Sequence, residues 1–440
     1  MNQHLSEVIN LLEPESTSLL GASREEAEAL LWSDDAEALG KLHGSFCLLA
    51  QHGKTVRMAR SLDRPMRYFL AKKAAGPALI VANRIDVIRD FLRAYGMDGQ
   101  FHPTYTRMVP AHYRVEIQLV GCPDPDPVYT RFFTPELGTL TPDLDLIGKK
   151  YIGAVAEEIE RWLLPLRDKA DPIGVSFSGG VDSGAIFVLT YWTMQRLGMN
   201  LGRLKAFTLQ LGNGPDLQQA RAFLDAMGLG LFLEPITSPH VRFDLAQVLK
   251  TVEDYKPLDI QSAAMAMHLL NGIRERYPDW KLLLDGEGGD ENLKDYPIEE
   301  NPELTIRSVV HNRMLYQEGW GVGKIKHSLT YSGGLSRSYA RSYGPARRFG
   351  FETFSPFTRP SVIRVAEAIP FIELTKYDVP RLYSLKGEVT GRGVKALTGL
   401  EMPVFEKRRF QHGAMSRDAL LGQFPDAENQ YRRTYHSFYA

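Results

Sequence analysis

Two glycine-rich turns carry the residues of this chain best suited to phosphate chemistry: SGGVDS, Ser178 to Ser183, and DGEGGDE, Asp285 to Glu291. Each follows a short apolar run, IGVSF and KLLL, and so reads as the turn after a strand; the first then leads into a helical pattern. Paired glycines let backbone N–H groups approach oxygens closely, because no side chain intervenes. A helix N-terminus adds partial positive charge. Ser178, Gly179, Gly180 and Ser183 would therefore grip a phosphate through N–H and hydroxyl donors, with Gly286 contributing from the second turn. Asp182 and Asp290 fall at the ends of two expected parallel strands, where ligands of such sheets bind, and their carboxylates suit a Mg²⁺ ion bridging phosphates. Glu287, between Gly286 and Gly288, is a candidate general base, its side chain free to reach a reaction centre.

Neither turn is the GxxxxGK[ST] loop of most nucleotide triphosphatases. The nearest imitation, around Gly323-Lys324, has Glu318 at the first glycine position and Ile325 after the lysine. A second imitation, Ser332 to Ser336, puts Ser336 where the first turn has Asp182. A plain capped turn would also use Ser and Asp, but six matching residues between a strand and a helix favour phosphate.

The elements that must position these turns alternate. LIGKKYIGAVAEEIERWLLPL is an amphipathic helix, IGVSFS a strand, GAIFVLTYWTMQRLG a helix, KAFTLQL a strand and DLQQARAFLDAMG a helix. LFLEPI is a third strand and KLLL a fourth, separated by the helix AAMAMHLLNGIRERY. Such alternation predicts a parallel sheet covered by helices. Before it, GSFCLLA and TVRMA read as a hairpin about His52-Gly53-Lys54, with YRVEIQL joining the same sheet; the segment PDPDP, Pro123 to Pro127, excludes regular structure. The expected fold class is thus α/β in the second part and a smaller, β-rich α+β domain in the first, with the boundary near Leu140: residues 1–139 and 140–440. Beyond Asp295 the pattern is helical and less regular.

Composition bounds the function. With 440 residues, 44% of them hydrophobic and 24% charged, the chain has apolar material for two packed cores. A formal net charge of −1 gives no global pull toward nucleic acid or an anionic membrane. Cys47 and Cys122 are the two cysteines, so neither a disulfide framework nor CxxC metal spacing exists. The opening residues lack a signal-peptide pattern, no apolar run reaches the ~20 residues of a membrane span, and the cytoplasm is the expected location.

SGGVDS resembles the pyrophosphate-binding motif of ATP pyrophosphatases. Together with DGEGGDE it resembles the synthetase domain of asparagine synthetases and their relatives, the β-lactam and carbapenam synthetases and lasso-peptide cyclases. Three further segments follow in the family's order: GNGPDLQQARAFLDAMG; GFETFSPFTRPSVIRVAEAIP with Phe371 behind it; and MPVFEKRRFQHGA, in which Lys407 stands three residues before Phe410. The resemblance implies ATP and Mg²⁺ as cofactors, Asp182 and Asp290 as magnesium ligands, and Lys407 as the group stabilising charge on the oxyanion and phosphate. One departure stands out: where typical members continue with a glycine-rich turn before a tyrosine, this chain has Asn292-Leu293-Lys294-Asp295-Tyr296.

The residues before Leu140 are similar to the second half of the family's N-terminal-nucleophile glutaminase domain. The chain starts Met1-Asn2, with no cysteine to expose, and Cys47 lies mid-strand in an apolar run, so glutaminase activity is not expected. The implied reaction adenylates a substrate carboxylate, releases pyrophosphate and passes the acyl group to an amine, as in lactam or macrocycle formation in natural-product biosynthesis. The partners expected are a small-molecule or peptide carboxylate and amine, a precursor peptide among them, with no nucleic acid and no membrane; a homo-oligomer stays open. An ammonia-dependent asparagine synthetase fits Glu287 better, since asparagine synthetases have a glutamate at this position and β-lactam synthetases a tyrosine. A catalytically inactive binding protein keeping the fold, and a tRNA-modifying enzyme, are the other readings. The basic and aromatic run RSYARSYGPARRFG, Arg337 to Gly350, reads as a solvated helix near the site.

Overall fold

The computed structural model describes residues 8–74, 76–120, 126–238, 242–296, 298–300, 304–318, 339–405, 413–415, 419–420 and 422–439. They form two compact units, one drawn from the chain up to Thr134 with Glu318 and the C-terminal residues from His436, the other from Pro135–Gln317 and Ala340–Tyr435.

The first unit holds two four-stranded sheets. Cys47–His52 pairs antiparallel with Thr55–Arg60, which pairs with Tyr113–Gln118, as the alternation in the sequence predicts. Val56 and Met58 point to an inner core shared with Leu79 and Val81 of the other sheet. Arg57, of opposite parity, lies on the outer face, where it donates to the carbonyls of Leu31 and Trp32 at the end of the Arg24–Trp32 helix. In the other sheet Ala78, Ile80 and Ala82 face outward onto Ile88 and Leu92 of the Ile85–Ala94 helix. Period-two burial thus fixes both registers. Most of the proline-rich segment lies outside the described residues.

The second unit is α/β. Five parallel strands lie in the order Leu233–Ser238, Leu204–Leu211, Ile173–Ser176, Leu282–Leu284, Glu352–Phe354. The inner strands Ile173–Ser176 and Leu282–Leu284 are mostly apolar, as strands covered on both faces by helices are. The fifth strand differs from the sequence reading of irregular helix beyond Asp295. Three residues, one of them Glu352, are too few to show a period, and pairing with Leu282–Leu284 alone makes them a strand. The Leu245–Val252 helix is a further addition to the expected elements. The strand before SGGVDS ends at Ser176 and the helix after it starts at Val181, each two residues earlier than the expected Ser178 and Ser183.

One helix pair brings a distant segment to the sheet edge. The Leu144–Leu163 helix, capped by the Asp143 carboxylate on the N–H groups of Asp145 and Leu146, packs along the Val379–Thr398 helix. The contact is close because Gly148 meets Gly393; a Cβ on Gly148 would lie 2.7 Å from the Val389 carbonyl.

Candidate active site

Strand order reverses between Ile173–Ser176 and Leu282–Leu284, which are neighbours. The two glycine turns leave the carboxyl ends of these two strands, at the switch point where open parallel sheets bind ligands.

Local geometry explains the glycines. Gly179 has φ +73°, and a Cβ there would lie 2.9 Å from the Cα and N of Ala220. Gly180 is the residue before the 16-residue helix, with φ −75°, and a Cβ there would meet only the Ser178 hydroxyl, at 3.3 Å. Gly179→Ala should therefore destabilise the protein by at least about 1–2 kcal/mol from the left-handed backbone alone, and urea unfolding should show Gly180→Ala close to wild type. Equal effects would refute this account of the turn. The hydroxyls of Ser178 and Ser183 bond to each other at 3.2 Å, the Ser178 N–H donates to Ser183 Oγ, and the Gly180 N–H donates to Ser178 Oγ. The turn is thus closed by the serines that the sequence marks as phosphate donors.

The second turn interlocks with the first. A Cβ on Gly286 would come within 3.0 Å of Asp182 Cβ and the Ser183 nitrogen, and one on Gly289 would fall on the Asp182 carboxylate. Gly286, expected to touch the cofactor, packs against the phosphate turn itself. The Asp285 N–H donates to the Phe354 carbonyl, and Asn292 Nδ2 donates to the Phe357 carbonyl at 2.9 Å and to Tyr151 Oη at 3.3 Å. The GFETFSPF segment therefore belongs to the site as its scaffold.

Asp182 and Asp290 converge, as their strand-end positions predict, but on a group absent from the sequence-based site. Lys386 Nζ lies 2.6 Å from Asp182 Oδ2, is bonded to Asp290 Oδ1, and is 3.4 Å from Asp295 Oδ2. Its side chain is 7% exposed. Burial alone would lower the pKa of this ammonium; the carboxylates of Asp182, Asp290 and Asp295 outweigh burial and hold it well above the ordinary lysine value. A signal was available: Leu382, Lys386, Val389 and Gly393 recur at helical spacing on the buried stripe of the Val379–Thr398 helix, and a lysine there needs a partner.

Glu287 stands beside a second, half-buried cation. Its Oε2 is 3.7 Å from Arg341, whose guanidinium also lies 3.6 Å from Asp259 and 3.9 Å from Glu291. Burial pushes the Glu287 carboxyl up to about 8; Arg341 pulls it down, while Asp285, Glu291 and Asp290 add to the rise. Glu291 is buried and accepts a 2.6 Å bond from Tyr296 Oη. Arg341 corrects the solvated-helix reading of the basic and aromatic run. It lies in a π-helical turn, Tyr339–Tyr343, and Tyr343 to Ala346 are buried, while Arg348 is exposed.

Lys407 lies outside the described residues. Past it, Gly413 and Ala414 pack against the Gly214–Asp216 turn, where a Cβ on Gly214 would collide with the Ala414 backbone. That turn opens the Asp216–Ala226 helix, whose Ala220 touches Gly179.

A Mg²⁺ ion fits the Asp182 and Asp290 pair on the chemistry of the donors: two carboxylates from adjacent turns already meet around one positive charge. Among the described residues no three acidic, histidine or cysteine side chains surround a metal position. Two protein carboxylates completed by water and phosphate are what Mg²⁺ usually takes.

In the first unit Cys47 is buried, its Sγ donating to the Pro65 carbonyl at 3.3 Å, and burial pushes its thiol up to about 12. It is a structural cysteine, since the thiolate is the reactive form. Among the described residues no helix is long and apolar enough to cross a membrane.

Residues 167–372 match the family described as asparagine synthase, a span that begins just before the first strand of the parallel sheet and ends just beyond the GFETFSPF segment. No curated protein matches the chain.

Proposed function

We propose that this chain, a member of the asparagine synthetase family through its domain at residues 167–372, adenylates a substrate carboxylate with ATP, releases pyrophosphate, and joins the acyl group to an amine without using glutamine. The family supports an ATP-dependent C–N ligase. The convergence of Asp182 and Asp290 on one buried cation at the sheet's switch point carries the finer reading.

A carboxylate does not react with an amine in water because oxide is a poor leaving group, so it first attacks the α-phosphorus of ATP and pyrophosphate departs. The N-terminus of the helix that opens at Val181 and the ammonium of Lys386 would face the charge on that leaving group. Asp182 and Asp290 would hold Mg²⁺, which when bound shares positive charge among the phosphate oxygens. The amine then attacks the acyl carbon, Glu287 takes its proton, and AMP leaves. Arg341, fixed by Glu291 and Asp259, orients Glu287 and offers a guanidinium to an anionic substrate group. Lys407 is retained as the candidate for stabilising the oxyanion.

The amine is best taken as part of the substrate or of a second molecule, in lactam or macrocycle formation. The inert Cys47 supports a chain that does not draw ammonia from glutamine. Pyrophosphate release from ATP with a panel of amino acids, N-acyl amino acids and peptides, each with and without ammonium, tests the reading. Wild type should release pyrophosphate with at least one carboxylate, and Asp182→Asn should lower the rate by about 10²–10³-fold. Release that needs ammonium would favour an asparagine synthetase-like reaction; release with no substrate, or release unaffected in Asp182→Asn, would sink the proposal.

A further inference from the structure

Asp295 is the third carboxylate on Lys386, and the most distant. Its Oδ2 lies 3.4 Å from Nζ, with its side chain 9% exposed. The chain fixes it there. The Asp295 N–H donates to the Asp290 carbonyl at 2.9 Å, closing a turn in which Lys294 takes φ 58°. Lys294 is itself buried, its Nζ 3.6 Å from the fully buried Glu367 and 5.2 Å from the centre of the Phe371 ring. Asp295 is thus presented by a turn whose preceding residue is locked in the core.

Charge decides what this carboxylate can do. A divalent cation held by Asp182 and Asp290 would lie a few Å from the ammonium that they now share and repel it. Asp295 remains as the partner that the cation does not need.

We infer that Asp295 is a positioning residue that keeps the Lys386 ammonium beside the SGGVDS turn when a divalent cation and phosphates engage Asp182 and Asp290; this rests on the proposed function above. The role has a diagnostic sign. Through space a carboxylate repels pyrophosphate, so deleting its charge should tighten binding. If Asp295 holds Lys386 in place, deleting it loosens binding instead.

Calorimetric titration of the full chain with inorganic pyrophosphate, with and without Mg²⁺, separates the two. With Mg²⁺, Asp295→Asn should weaken binding by about tenfold, ~1.4 kcal/mol, and Asp295→Glu should recover most of it. Without Mg²⁺ the asparagine variant should bind no more weakly than wild type, since Lys386 stays with Asp182 and Asp290 and only the through-space repulsion is lost. In a Lys386→Met background, Asp295→Asn should not weaken binding further, because the carboxylate positions the lysine. Asp295→Ser supplies the same comparison should the asparagine variant not fold. Unweakened or tighter binding by Asp295→Asn or Asp295→Ser with Mg²⁺, while Asp182→Asn loses it, overturns this inference alone. Wild type that binds no pyrophosphate with Mg²⁺ overturns the functional reading as well.

Discussion

Lys386→Met should unfold at a markedly lower urea concentration than wild type in metal-free buffer, and Mg²⁺ should restore most of the difference. The variant removes the ammonium that Asp182 and Asp290 share. Removing one partner of a buried ion pair costs about 3–5 kcal/mol. Asp182 and Asp290 keep side-chain exposures of 18% and 37%, so water relieves part of the repulsion and about 3 kcal/mol is expected. A divalent cation gives the same two carboxylates the charge that they have lost, so it should stabilise the variant more than wild type. Pyrophosphate release should fall by about 10²–10³-fold, as when a preorganised charge is taken from a transition state. Wild-type stability without metal, or no extra gain from Mg²⁺, would show that the ammonium does not balance this pair.

Glu287→Gln should separate the two half-reactions. Adenylation needs no proton acceptor on the amine, so pyrophosphate release in a single turnover should stay within a few-fold of wild type, whereas amide formation should drop by about 10²–10⁴-fold. The pH dependence follows from the raised carboxyl. Burial moves it up to about 8 in the free protein, and a base must be unprotonated, so kcat/KM for the amine should climb as pH rises toward 8. Protonation of the amine itself gives a separate limb that the glutamine variant keeps, while losing the one near 8. Stability has the opposite slope. The folded state holds the Glu287 proton more tightly than the unfolded chain, so its contribution is fully present below the ordinary glutamate value and is lost as pH rises to about 8. Glu287→Gln should therefore gain stability relative to wild type across that window. A glutamine variant that forms amide at the wild-type rate would remove Glu287 from the reaction.

Much of this site was legible because its chemistry is local. SGGVDS and DGEGGDE each follow a strand visible as an apolar run; Gly179 is required by a close backbone approach that paired glycines in a turn already suggest, and Gly289 by the Asp182 carboxylate that would meet its Cβ. The hairpin about Gly53 and the helices beside the parallel strands follow from period and turn chemistry in the same way. The Glu352–Phe354 strand was hidden because three residues carry no period, and its identity comes from the partner strand.

The sequence by itself determined the two glycine turns, the carboxylates within them and the parallel direction of the strands that brings their ends to one edge, since each depends on residues close along the chain. Only the tertiary structure decided what those carboxylates meet. Lys386 arrives on a helix 204 residues after Asp182, carried in by the Gly148 and Gly393 contact, and Arg341 arrives within a run that resembles a solvated helix. A buried charge is fixed by the three-dimensional sum of its neighbours, and that sum has no period or spacing for a sequence to display.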